Sequence, residues 1–381
     1  MSFFKKLFFI LITTFVFFSF SCTRSNNEDQ EFLPTDENVK QMGRTFMGFD
    51  SLLMCFSGTG AAFEVNAKRL DVEFIGDSNT NGAVDLDNGA RVVVFVNGER
   101  KLDKIISKSK EVVTIFNEKK PVSGEVEILK VSESTNSLAG ISKIILDKEG
   151  SIKPAAKKDL KIEFIGDSIT CGYGVDDPVK ENHFKTSTED NTKTYAYKTA
   201  KALGADYSMV CLSGFGILSG YTNNGRKNTN SLLPKYYEKL GFTWNTTING
   251  INPGNKDWNF HQFVPDFIVI NLGTNDNSYV KKDEEKTEEF KSAYKAFLKQ
   301  IRKNNPDASI VCSLGMMGTD LCKAVEEVVE EYSAETGDNK VTSLRFSNQN
   351  MADGIAADWH PSEKTHEKAA LVLTSKIKRL L

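Results

Sequence analysis

Phe164-Ile165-Gly166-Asp167-Ser168-Ile169-Thr170-Cys171-Gly172-Tyr173-Gly174 begins as an apolar run and ends as a small, glycine-rich polar turn. An apolar run that stops abruptly at Gly-Asp-Ser reads as a buried strand delivering a serine onto a tight turn, where a nucleophile belongs. Working outward, four more strand-like runs follow at Tyr207–Leu212, Phe267–Leu272, Ser309–Leu314 and Val341–Phe346. Helical periods lie between them: Phe290, Tyr294, Phe297, Leu298 and Ile301 share one face, as do Leu321, Val325, Val328 and Tyr332. Ala369, Leu373, Ile377 and Leu380 form the apolar stripe of a final helix after Pro361-Ser362. Alternating strand and helix predicts a parallel sheet with helices on both faces, whose reactive groups collect at the carboxyl ends of the strands.

The loops at those ends carry chemistry. Ser213-Gly214-Phe215-Gly216 offers bare backbone N–H groups, and Gly273-Thr274-Asn275-Asp276 offers a carboxamide. Asp358-Trp359-His360-Pro361-Ser362 offers an imidazole just before the last helix. Of the four histidines, His183 sits in a polar stretch, while His261 and His366 read as packing residues, so His360 is the candidate base. Asp358, two positions before it, is the candidate orienting acid.

Upstream, from about residue 46 to 146, the period shortens. Leu52–Phe56, Ala62–Val65, Arg69–Ile75, Arg91–Val96, Val112–Phe116 and Glu125–Val131 read as strands, with Asp87-Asn88-Gly89 and Asn97-Gly98 as hairpin turns. A small antiparallel β-sandwich over 43–155 is predicted, followed by the α/β domain over 156–381. Within it, Phe74-Ile75-Gly76-Asp77-Ser78-Asn79-Thr80 nearly repeats residues 164–170 but lacks a βα unit, so it reads as a strand ending in a polar turn.

The first 21 residues read as a signal peptide: Lys5 and Lys6 precede a 12-residue apolar run, Leu7 to Phe18, too short to span a bilayer. Ser19-Phe20-Ser21-Cys22 is similar to a bacterial lipoprotein signal, which implies acylation of Cys22 and a flexible tether over 22–42. The mature protein is then exported and reaches the outer membrane or cell surface through lipid only; ordinary cleavage near Ser21, with Cys22 incidental, would instead place it in the periplasm or outside the cell.

Composition narrows the partners. Lys+Arg 48 against Asp+Glu 51 in 381 residues gives a net charge of −3, which argues against a nucleic-acid binder. The six cysteines have no CxxC spacing, so neither a zinc site nor a fully paired disulfide framework is expected, and no metal or other cofactor is called for.

Gly166-Asp167-Ser168, Gly214, Gly273-Thr274-Asn275-Asp276 and His360 together resemble the four blocks of the SGNH (GDSL-type) hydrolase superfamily. With the β domain in front and Asp358-Trp359-His360-Pro361-Ser362 behind, the chain looks most like carbohydrate esterase family two, a jelly-roll-like sandwich joined to an SGNH domain. The resemblance implies a serine esterase that removes O-acetyl groups from plant-type polysaccharide through an acetyl-enzyme. Ser168 would be the nucleophile and His360 the base, with Ser168 N–H, Gly214 N–H and Asn275 as oxyanion donors. The superfamily pattern puts its acid three residues before the histidine, at Ala357 here, which leaves a triad through Asp358 or a dyad supported by a backbone carbonyl. Trp359, Asp167 and Trp258 are the candidate sugar contacts, and the aromatic-rich insertion 220–262 a candidate binding wall. Two rival readings are an SGNH esterase for another acyl ester (a sialic acid, glycolipid or lipid) and an inactive glycan-binding lipoprotein.

Overall fold

A computed structural model describes residues 29–81 and 87–381. Residues 1–28, including the expected signal peptide and Cys22, lie outside the described residues. The amino-terminal half is antiparallel and β-rich. Its strands are β1 (Gln30–Phe32), β2 (Lys40–Met42), β3 (Thr45–Gly48), β4 (Ser51–Met54), β5 (Thr59–Gly76), β6 (Arg91–Val96), β7 (Glu99–Ile105), β8 (Lys110–Lys130), β9 (Ala139–Leu146) and β10 (Ser151–Pro154).

Pairs of runs that the sequence separates are single long strands here. β5 fuses the expected Ala62–Val65 and Arg69–Ile75, and β8 fuses Val112–Phe116 with Glu125–Val131. The polar stretch at Lys119-Lys120-Pro121 is an exposed part of β8 where its pairing with β5 lapses: the register passes from Asn117↔Arg69 to Val122↔Ala67, so residues 118–121 have no partner in β5. Register shifts at Ala67/Arg69 and Leu70/Asp71 mark bulges, which let so long a ribbon bend around its own core. On its other edge β5 pairs first with β2 and β10 and then with β9. Hydrogen bonding therefore runs through the strands as one sheet, wrapped on Phe63, Leu70, Phe74, Val94, Ile128 and Ile144.

The expected tether does not extend to residue 42. β1 pairs with β9 and β2 with β5, while Val39 and Met42 are buried. These short strands are polar because they lie at sheet margins, where one row of side chains faces water.

The second half follows the predicted rhythm: β11 (Lys161–Gly166), α1 (Ser168–Cys171), α2 (Tyr195–Leu203), β12 (Asp206–Cys211), β13 (Phe267–Asn271), α3 (Thr274–Val280), α4 (Glu284–Asn304), β14 (Ser309–Met316), α5 (Cys322–Thr336), β15 (Val341–Asn348) and α6 (Glu363–Lys378). The five strands are parallel in the order β12-β11-β13-β14-β15, the SGNH arrangement. Phe267, Ile268, Val269 and Ile270 are all buried because helices cover both faces. Each such side chain contributes roughly 1.5–3 kcal/mol on burial, so this central strand is a rigid base for the loops at its end. All five described cysteines are free and buried.

Candidate active site

β11 ends at Gly166, and the chain turns at once into α1. An ordinary Cβ at Gly166 would lie 2.0 Å from Thr170 Oγ1, so only glycine lets the turn close this tightly. Asp167 caps the turn, its Oδ1 accepting from Ile169 N at 3.0 Å. Ser168 is thereby presented at the strand end, where its Oγ lies 2.9 Å from His360 Nε2. The two residues are 192 positions apart in sequence and within hydrogen-bond reach in space.

The imidazole is oriented by backbone, not by a carboxylate. Nδ1 of His360 lies 3.2 Å from the Ala357 carbonyl and 3.1 Å from that of Asp358. A carbonyl only accepts, so the ring proton sits on Nδ1 and leaves the Nε2 lone pair facing Ser168. Asp358 does not complete a triad. Its carboxylate instead accepts from Tyr173 Oη (2.7 Å) and Phe184 N (3.0 Å) and pairs with His183 Nδ1 (2.9 Å).

The reason is local backbone shape. Asp358 and Trp359 both adopt left-handed φ, 48° and 63°, a conformation that costs of order 1–3 kcal/mol at each non-glycine residue. The corner is held by Ala357 N to Asp177 O, Asp358 N to Asn182 O and Trp359 N to Lys180 O, besides the three protein donors to the Asp358 carboxylate. At ~1 kcal/mol each, these bonds offset the strain. Tyr173 also stacks on the imidazole, with ring centroids 4.0 Å apart. Asp358→Asn should therefore lower kcat by less than about tenfold, whereas loss of a true triad acid costs about 10⁴-fold. Steady-state kinetics on an aryl acetate distinguish the two.

Burial pushes the His360 imidazole down to about 4, against a partial upward pull from the Ala357 and Asp358 carbonyls. A general base must be neutral, so activity is lost only as pH falls through that low value. The acidic limb of kcat/KM is expected near pH 4, well below the ordinary histidine value, and a limb near 6.5 would contradict this environment.

Neither Ser168 N nor Gly214 N donates to a protein acceptor among the described residues. Gly214 has φ 79°, and a Cβ there would meet only open space. Asn275 Nδ2 donates to Phe215 O at 2.9 Å and, more weakly, to Asp167 Oδ2 at 3.3 Å.

Residues beyond the sequence expectation hold this turn. Asp276 accepts from Ile217 N, Leu218 N and Ser219 N at 2.6–3.0 Å, fastening the chain just past Gly214. Burial pushes its carboxyl up to about 6, although those three N–H groups pull the other way. Glu133, from the segment after β8, accepts from Ser213 N at 2.7 Å, so the β domain supports the same turn. Asp276 adjoins Asn275 in its motif and was open to discovery there; nothing around Glu133 in sequence connects it to Ser213.

Glu133, Cys171 and Glu189 are buried, with ligand atoms within 4.8 Å of one another, a spacing that could hold a metal ion. Lys130 already places positive charge nearby. Burial lowers its ammonium to about 8, and Glu189 and Glu133 pull it back upward.

The sugar candidates divide. Trp359 is 54% exposed beside His360, with Lys180 Nζ over its ring. Asp167 is fully buried and spends its oxygens on Ile169 N and Asn275, so it is a cap and not a sugar contact. Trp258 is buried with Leu53, Cys55 and Leu240 in a core cluster that contains no residue of the Ser168–His360 site. Most aromatics of 220–262 serve the core in the same way, leaving Tyr221 and Trp244 exposed. His366 is buried and accepts from Tyr195 N, whereas His261 is exposed instead of packed. Ser78, in the near-repeat motif, pairs with Thr247 instead of a histidine.

A serine and a neutral imidazole are in contact at the end of a five-stranded parallel sheet, the arrangement that the resemblance to SGNH hydrolases implies. The profile of the GDSL-like lipase/acylhydrolase family matches residues 162–373, and the chain belongs to that family. It is 39% identical over 234 residues to the cellulase/esterase CelE of Acetivibrio thermocellus, covering 60% of this chain and 26% of that relative, about a quarter of its length. It is 28% identical, over 99% of both chains, to an acetylxylan esterase/glucomannan deacetylase of Cellvibrio japonicus. Among solved structures, an acetyl xylan esterase (Est2A) of Butyrivibrio proteoclasticus superposes with a TM-score of 0.83 at 25% identity, covering 93% of this chain and 98% of that one.

Proposed function

We propose that the protein is a carbohydrate O-acetylesterase that removes acetyl groups from polysaccharides of the xylan, mannan or glucomannan type. The 2.9 Å contact between Ser168 Oγ and His360 Nε2 carries the reading. The full-length similarity to an acetylxylan esterase/glucomannan deacetylase supports the substrate class.

Ser168 Oγ attacks the acetyl carbonyl carbon while its proton passes to His360 Nε2. The carbonyl oxygen becomes an oxyanion, held by the N–H groups of Ser168 and Gly214. The Asn275 amide joins them by giving up its long contact to Asp167, since a full negative charge is the stronger acceptor. The C–O bond to the sugar breaks as His360 returns the proton to the leaving oxygen. Water, deprotonated by the same imidazole, attacks the acetyl-Ser168 carbonyl; the C–Oγ bond breaks as His360 returns that proton to Ser168 Oγ, and acetate leaves. A competent dyad of this geometry argues against the inactive glycan-binding reading.

The test is acetate release from acetylated xylan, mannan and glucomannan. Release from one or more of them is expected, and turnover confined to aryl or lipid esters would reject the carbohydrate reading.

We further infer an exported, lipid-anchored protein, from the run Leu7 to Phe18 and Cys22. Among the described residues no helix is long and apolar enough to cross a membrane. Cys22→Ala should move the protein from the membrane fraction to the soluble fraction; retention in the membrane would contradict the anchor.

A further inference from the structure

A cavity of about 530 Å³ opens between the two domains, lined among others by Asn79, Thr80, Asn136, Trp244, Asn245 and Thr246. Its chemistry is that of a sugar site. Trp244 is half exposed (50%) and packs against Phe242 and Phe215, with centroids 4.8 and 6.1 Å away. The carboxamides of Asn79, Asn136 and Asn245 line the cavity and make no hydrogen bond to another described residue. An apolar ring face for the C–H surface of a pyranose, with amides for its hydroxyls, is the pairing that carbohydrate recognition requires.

The walls are tied to one another rather than merely adjacent. Asp77 Oδ2 accepts from Leu138 N at 2.7 Å, Ser78 N donates to Thr247 O at 2.7 Å, and Trp244 N donates to Thr135 O at 3.1 Å. The near-repeat at residues 74–80 thus acts as a clamp that fixes the 244–247 segment against the β domain. The cavity is linked to the reaction centre through Phe215, which directly follows Gly214 and packs against Trp244.

We propose that this cavity is a second glycan subsite, which takes a pyranose unit of the same chain flanking the unit whose acetyl group is cleaved. The inference rests on the carbohydrate-esterase reading and adds to it a binding role for the β domain.

Fluorescence can isolate the site. The chain has three tryptophans, of which Trp258 is buried and Trp244 and Trp359 are exposed. In full-length protein carrying Ser168→Ala and Trp359→Phe, Trp244 is the accessible indole. Acrylamide quenching is measured while xylohexaose, mannohexaose or cellohexaose is titrated in. One of them is expected to protect Trp244 saturably. Asn136→Ala, which removes an amide without a protein partner, should then shift the midpoint about tenfold upward. Unchanged quenching at oligosaccharide concentrations that saturate the protein by calorimetry would overturn the subsite while leaving the esterase reading intact. Failure of every oligosaccharide to bind, together with no acetate release from any polysaccharide, would remove both.

Discussion

Ser168→Ala is expected to lower kcat for acetate release by about a million-fold, the scale seen when the nucleophile of a serine hydrolase is deleted. The reasoning is chemical. Without Oγ no acyl-enzyme can form, and His360 Nε2 faces a methyl group in place of the hydroxyl 2.9 Å away. His360→Ala should fall by a similar factor, and the double variant hardly further, because the two side chains act as one unit. Folding is not expected to suffer, since among the described residues Ser168 Oγ has no hydrogen-bond partner besides the imidazole, and Asp167 still caps the turn. A Ser168→Ala enzyme within a hundredfold of wild type would place the nucleophile elsewhere.

Asn275→Ala carries the second large effect, a fall of about 10²–10³ in kcat with KM little changed, as for the loss of one oxyanion donor. The amide acts on charge that develops only in the transition state, which is why KM is spared. The resting contacts add a control. Asn275 Nδ2 also bonds Phe215 O, so its removal could loosen the turn beyond Gly214, yet Asp276 fastens that turn independently through three N–H groups. A rise in KM equal to the loss in kcat/KM would mean that Asn275 binds substrate instead of stabilising the oxyanion.

Much of this site was legible because βα order is written in the sequence. Gly-Asp-Ser at the end of one apolar run and an imidazole before the last helix could meet only at one sheet edge, and they do. Asp358 shows where reading stops. Spacing gives distance along the chain but not side-chain direction, and two successive left-handed residues rotate its carboxylate toward Tyr173 and Phe184. The same rotation supplies what a carboxylate would have supplied, by turning two carbonyls onto His360 Nδ1.

Burial is the other blind spot. Trp258 and Trp244 lie in one insertion with similar neighbours, and only the tertiary packing decides that the first fills a core and the second faces a cavity. Asp167 likewise looks available in sequence but is spent on capping. In the β domain, β8 runs on as one strand because the residues on both sides of its unpaired polar stretch at 118–121 pair with β5, a long-range match that local sequence does not show. The clamp formed by residues 76–78 was visible as a repeat, but its partner at Thr247 was not.

One measurement bears on the central claim most directly: acid-quenched mass spectrometry of the enzyme during turnover of acetylated xylan. If Ser168 is the nucleophile and His360 its base, one acetyl group appears on the peptide containing Ser168 and disappears as substrate is consumed. Acetate released with no acetyl on that peptide at any quench time, or with the acetyl carried by another residue, would contradict the account.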